Sequence, residues 1–180
     1  MREPADLTRI QRFMRKLGDE ARGESRVYFT GGATAVLHGW RASTLDIDIK
    51  LVPERDELFR AIPALKEQLR LNVELAAPSD FIPVRPDWEA RSPFIGREGR
   101  LSFHHFDLYA QALSKIERGH AQDLGDVREL LRRALVDRAQ LIEYFEAIEP
   151  NLYRFPALDP ASFRRRVELA LDPDDAQSLQ

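Results

Sequence analysis

Apolar residues recur at helical spacing near the start of the chain. Leu7, Ile10, Met14 and Leu17 place one apolar face on a helix over residues 5–18, with Gly18 and Gly23 around its end. The period then changes. Val27 to Thr30 is a short strand, residues 33–39 form a short helix, and Leu45 to Val52 alternates apolar and polar positions as a half-buried strand does. Pro53 followed by Glu54, Asp56 and Glu57 suits a helix start. That helix is expected to reach about Arg70, with a kink or break at Pro63. Leu71 to Leu75 alternates again and predicts a third strand.

Residues 76–94 break the pattern. They carry Pro78, Pro83, Pro86 and Pro93, with Phe81 and Trp88 among charges, and are expected to be irregular. A long irregular stretch within a domain is usually functional or mobile. Phe94-Ile95 and Leu101 to Phe106 flank Gly96-Arg97-Glu98-Gly99 as a hairpin. Helices are then expected over residues 108–118 with Asp107 as cap, from Asp123 to about 136, from Asp137 to Ile148, and over 161–171. Pro150, Pro156 and Pro160 interrupt the last part, and residues 172–180 look frayed. The order predicts an α/β (α+β) fold: a small mixed sheet with flanking helices over residues 1–106, and a helical region over 107–180 packed on it.

Composition narrows the function. With 180 residues, 43% hydrophobic and 32% charged, the chain has the length and balance for one soluble domain with a real core. Its net charge of −3, with no basic block, argues against strong duplex DNA binding, which draws on many Lys and Arg phosphate contacts. The lack of cysteine removes disulfides and thiolate metal sites. Without an apolar leader or a membrane-length run, a cytoplasmic protein with no membrane partner is expected.

The chemistry concentrates between Thr30 and Ile49. Gly31-Gly32 is followed after thirteen residues by Asp46-Ile47-Asp48-Ile49. On a strand Asp46 and Asp48 point to one side and the isoleucines to the other. Two adjacent like charges repel, and a divalent cation relieves that repulsion. Mg²⁺ (with Mn²⁺ as the alternative) is held by one or two carboxylates plus substrate phosphates. Glycines let the backbone approach a phosphate closely, and a helix start offers amides to an anion. Gly31 and Gly32 are therefore candidate phosphate binders. Thr34 either adds a hydroxyl to the phosphate or caps the helix. Arg41 pairs with phosphate or with an aspartate, and Thr44 lies beside it just before the aspartates.

The same residues resemble the signature of the nucleotidyltransferase superfamily related to DNA polymerase β: an apolar residue, Gly, Gly or Ser, nine to thirteen residues, then Asp, apolar, Asp or Glu, apolar. Gly31, Gly32, Asp46, Ile47, Asp48 and Ile49 fit it; Thr30 departs, since a larger apolar residue is usual there. A second stretch, Phe106 to Arg118 followed by Asp123 to Val127, resembles a segment of an uncharacterised bacterial nucleotidyltransferase-like family related to abortive-infection toxins. Together the two cover most of residues 26–136. The resemblance implies a short mixed sheet with helices on one side, and transfer of a nucleoside monophosphate from an NTP to a hydroxyl of a protein or RNA. It implies a third carboxylate on a neighbouring strand, for which Glu74 is the first candidate and Asp80 the second, although Asp is more usual than Glu. It also implies that Lys115 approaches the triphosphate, that Asp123 and Asp126 organise the following helix, and that a toxin or defence role with a cognate antitoxin is open. Lys115 and Arg118 share one helix face, which by itself equally suits a solvated surface.

Other residues carry less. His38 suits packing, His104 and His105 alternate across a strand, and no histidine spacing suggests zinc. Trp88 and Phe81 either stack on a base or plug a core edge. The alternatives to an enzyme are a degenerate nucleotide-binding relative and a protein-interaction module. The absence of GxxxxGK[ST] and GxSxG weakens kinase and hydrolase readings.

Overall fold

The computed structural model describes residues 2–172; residues 173–180, most of the segment expected to fray, lie outside the described ones. Among the described residues the fold is α+β, with seven α-helices and a five-stranded mixed sheet. It divides into two units: the chain up to Ala77 together with Ser92–Phe106, and Pro78–Arg91 together with the chain from Asp107 onward. No helix among the described residues is long and apolar enough to cross a membrane.

The first unit holds the sheet. Helix α1 (Leu7–Glu20) is capped by Asp6, whose side chain accepts from Arg9 N. It ends between Gly18 and Gly23, as expected, and Gly18 is a packing position. A Cβ there would stand 2.7 Å from Glu98 O. Strand β1 (Ser25–Thr30) leads into α2 (Gly31–His38), and β2 (Asp46–Val52) follows. Helix α3 (Asp56–Leu69) continues through Pro63 without the expected break. Pro63 lies on the exposed side of α3, where water can replace the lost backbone bond, while Leu58, Ala61, Ile62, Leu65 and Leu69 hold the opposite side in the core. Strand β3 (Asn72–Glu74) and the hairpin β4 (Phe94–Glu98) and β5 (Leu101–His105) complete the unit.

The strand order is β3-β2-β1-β5-β4. Strands β1 and β2 are antiparallel, as are β4 and β5, whereas β1/β5 and β2/β3 are parallel. Ile47, Ile49 and Leu51 of β2, Phe29 of β1 and Phe103 of β5 pack with the apolar faces of α1 and α3 in one core. The alternation of β2 leaves Asp46, Asp48 and Lys50 half-buried on the other face.

The second unit is helical: α4 (Leu108–Arg118), α5 (Ala121–Arg132), α6 (Arg138–Ile148) and α7 (Pro160–Ala170), with a 3₁₀ segment at Glu149–Arg154. Asp107 caps α4 as expected, and Asp137, where the next helix was expected to begin, caps α6. Helix α5 begins two residues before Asp123, with His120 at its N-cap and no side-chain bond there. Asp123 faces the preceding helix instead and binds Lys115 and Arg118. The proline-rich stretch contributes a 3₁₀ turn at Pro78–Asp80 and then joins these helices through Arg91. The Arg91 guanidinium pairs with fully buried Asp107 at 3.1 Å and lies over Tyr109 and Tyr144 at 5.1 and 5.3 Å. Burial pushes the Asp107 carboxyl pKa up, against the pull of Arg91.

Candidate active site

At the end of β1 the chain makes the turn that the glycine pair requires. Thr30 is extended (φ −139°, ψ 174°) and serves as N-cap of α2 without a side-chain bond. Gly31 takes a left-handed backbone, φ +62°, which residues with a Cβ adopt only at a cost. Thr34 is therefore not the cap. It is 2% exposed, and its hydroxyl donates to Phe29 O at 3.3 Å and meets His105 Nδ1 at 3.2 Å. It fixes the underside of α2. Beside it His105 stacks on His38 at 4.3 Å, and His38 stacks on Trp40. Burial, with repulsion from His38 and His104, pulls the His105 pKa down to about 3, so this imidazole is neutral at pH 7.

The register of the sheet then gathers the carboxylates. Thr30 of β1 lies opposite Asp48 of β2, and Asp48 lies opposite Glu74 of β3. Asp46 lies opposite Asn72. Paired residues share a face, so Asp46, Asp48 and Glu74 stand together on the side away from the core. The two aspartates are half-buried and Glu74 is exposed. Asp48 is aimed at the glycine turn: a Cβ on Gly31 would lie 2.8 Å from Asp48 Oδ2. A carboxylate at a helix N-terminus is favoured by the helix dipole.

The loop after α2 closes over the second glycine. Gly39 adopts a left-handed C-cap, and the amides of Trp40 and Arg41 donate back to Ala35 O. This returns Arg41 and Thr44 to Gly32. A Cβ on Gly32 would meet Thr44 Oγ1 at 2.0 Å and Arg41 Nη1 at 3.4 Å, so only glycine fits. Thr44 Oγ1 donates to Asp46 O at 3.0 Å, and its backbone bridges to Ala5. Gly31, Gly32, Arg41, Thr44, Asp46, Asp48 and Glu74 thus come together in the first unit.

Lys115 and Asp80 belong to the second unit. The Lys115 ammonium is buried and bonded to Asp126 at 2.7 Å and Asp123 at 3.4 Å, while Arg118 takes Asp123 at 2.7 Å. Asp80 ends the exposed part of the 3₁₀ turn, and Phe81 beside it is 55% exposed. Glu74, in register with Asp48, puts a third carboxylate on the same sheet face as the two aspartates.

One residue was not anticipated. Asn72 Nδ2 donates to Asp46 Oδ1 at 2.6 Å and to Glu74 Oε1 at 2.9 Å, while its Oδ1 accepts from Arg2. The alternation of residues 71–75 already placed Asn72 beside Glu74. Only the strand register shows that it faces Asp46. Among the described residues no three His, Cys, Asp or Glu side chains form a ready-made metal cluster; the Asn72 amide stands between two of the carboxylates. The donors nonetheless suit a hard cation, since they are carboxylate oxygens on one sheet face beside a glycine turn that a Cβ would fill.

A family model described as a nucleotidyltransferase of unknown function (DUF6036) matches residues 5–156, a span that contains every residue of this site. No curated protein and no solved structure matches the chain.

Proposed function

The chain belongs to the DUF6036 family of nucleotidyltransferases of unknown function, and we propose that it transfers a nucleoside monophosphate from an NTP to a hydroxyl of a protein or RNA. In this reaction the acceptor oxygen forms a bond to the α-phosphorus, the bond to the β-phosphate oxygen breaks, and pyrophosphate leaves. The acceptor proton passes to a carboxylate or to water.

The observation that carries this reading is the placement of Asp48 against Gly31, with Glu74 next in the same row across the sheet. It joins a phosphate seat and a carboxylate seat within one turn. Gly31, Gly32 and the first turn of α2 would receive the phosphates through backbone N–H groups. Arg41 would add a planar, two-pronged contact to a phosphate oxygen, with the Thr44 hydroxyl beside it. Asp46, Asp48 and Glu74 would hold Mg²⁺, or Mn²⁺ in its place. When bound, that cation offsets phosphate charge and lowers the cost of deprotonating the acceptor hydroxyl. Little covalent chemistry falls to the protein; these side chains orient the reacting groups. Thr34 is a buried group that fixes α2 from beneath, and Lys115 is a buried group that fixes the α4–α5 pair within the second unit.

A second reading is an NTP-binding or protein-interaction module without turnover. It is favoured by Glu74, an exposed glutamate where an aspartate is usual, whose carboxylate is engaged by Asn72. A toxin or defence role with a cognate antitoxin extends the first reading and rests on the resemblance of residues 106–127.

The test is binding of each NTP with and without Mg²⁺, to the wild-type chain and to Asp46→Asn/Asp48→Asn, followed by transfer of labelled nucleotide. Metal-dependent binding that the double variant loses supports the site, and label transfer separates the enzyme from the binding module. A folded wild-type chain that binds no NTP in either condition overturns both nucleotide readings.

A further inference from the structure

Asp46 and Glu74 lie on neighbouring strands, on the same face, and carry like charges that repel. No regular feature of a parallel β pair orients their side chains towards each other. Asn72 does so. Its two amide hydrogens are divided between them, at 2.6 Å to Asp46 Oδ1 and 2.9 Å to Glu74 Oε1. The remaining group of the amide, Oδ1, accepts from Arg2 Nη1, and Arg2 also approaches Glu67 at 3.7 Å. The direction of the amide is therefore determined. Turned over, it would present an oxygen to two carboxylates and an N–H₂ group to a guanidinium, which is repulsive on both sides.

We infer that Asn72 is a positioning residue of the proposed site, holding the Asp46 and Glu74 carboxylates in one place so that their second oxygens face a shared cation. The inference rests on the nucleotidyltransferase reading above. Asn72 is not placed among the cation ligands, because its Oδ1 is directed to the Arg2 guanidinium while its Nδ2 faces the carboxylates. An aspartate at this position would offer a further ligand but would also set a third carboxylate between two others. The amide supplies donors in place of a charge and leaves one oxygen of each carboxylate for the metal. Groups that orient metal ligands in this way are worth about 10- to 100-fold in metal affinity.

The experiment has a metal-free and a metal-bound arm. Without metal, the Asn72 side-chain amide protons, followed by NMR, should exchange slowly and show two distinct environments. Glu74→Gln should change one of them and Arg2→Ala should speed their exchange. Fast-exchanging amide protons, unmoved by either variant, overturn the inference whatever the protein's activity. In the second arm Mg²⁺ is titrated calorimetrically into the wild type, Asn72→Ala, Asn72→Ser and Asn72→Asp. Asn72→Ala should weaken Mg²⁺ binding about tenfold or more. Asn72→Ser, with one hydroxyl donor, should recover part of the loss, and Asn72→Asp should be the variant whose melting temperature rises most on adding Mg²⁺. Wild-type Mg²⁺ affinity retained within twofold by a folded Asn72→Ala chain overturns the positioning role while leaving the proposed function standing. No Mg²⁺ binding, either alone or together with a non-hydrolysable NTP analogue, by a wild-type chain whose Asn72 amide is protected overturns the proposed function instead. Should Asn72→Ala fail to fold, the Ser and Asp variants decide by the same affinities.

Discussion

Asp48 and Gly31 meet so closely that no side chain fits between them: a Cβ on Gly31 would stand 2.8 Å from Asp48 Oδ2, on a residue whose φ is already +62°. Gly31→Ala therefore carries two penalties. The left-handed backbone costs about 1–2 kcal/mol, and the new methyl group displaces the carboxylate. Gly39 separates these effects, because it has φ +85° and nothing within 4 Å of an added Cβ. Both alanine variants should melt several degrees below wild type, as a cost of this size implies for a chain of this length. Only Gly31→Ala should lose Mg²⁺-dependent NTP binding. Equal NTP binding by the two would sink the idea that Asp48 and the turn form one seat.

The aspartates of β2 should prove dispensable for folding. Asp48→Asn gives up a favourable interaction with the α2 N-terminus, about 0.3–1 kcal/mol, and gains relief from the neighbouring carboxylates. Asp46→Asn keeps an oxygen for the Asn72 amide. Each variant should stay within about 1 kcal/mol of wild type in urea unfolding while NTP binding disappears. If both unfold, the carboxylates serve the fold and the site has been misplaced.

Lys115 should matter first for stability. Lys115→Met leaves Asp126 and part of Asp123 as buried carboxylates without their cation, an effect of about 3–5 kcal/mol. The side chains are 6, 3 and 9% exposed for Lys115, Asp126 and Asp123, so little water can compensate. The pair Lys115→Met/Asp126→Leu removes opposite charges together and should recover most of the loss by chemical denaturation. A double variant that is stable but has lost NTP affinity would favour the reading in which Lys115 approaches the triphosphate.

Stability should decline with acid in a window set by His105. Its folded pKa, about 3, lies below the ordinary imidazole value of 6.5 because the ring is buried against His38 and Thr34. Above pH 6.5 neither folded nor unfolded chain is protonated here. As pH falls from 6.5 towards 3, the unfolded chain takes up a proton that the folded chain excludes, so stability is lost progressively, by at most a few kcal/mol at about 1.4 kcal/mol per pH unit. His105→Gln, which retains a partner for Thr34, should flatten the dependence of melting temperature on pH across that window. Identical slopes for variant and wild type would assign the acid response to other groups.

By itself the sequence determined the elements whose signals are local. Periodicity of two put Asp46 and Asp48 on one face of β2, Asp107 was a recognisable cap, Asp137 preceded a helix, and Gly31-Gly32 with the aspartates marked the candidate site. It misjudged points where a distant partner overrides local preference. Pro63 stays inside α3 because one side is in the core and the other in water. Asp123 pairs with Lys115 in place of capping a helix. Only the tertiary structure decided that Glu74 stands across from Asp48, that Thr34 turns inward to His105, and that Asn72 bridges two carboxylates. Each of these depends on strand register and on contacts between residues 26 to 71 positions apart. A pattern of neighbours along the chain carries no information about such pairings, because they are set when the sheet assembles and every polar group on its face must find a partner.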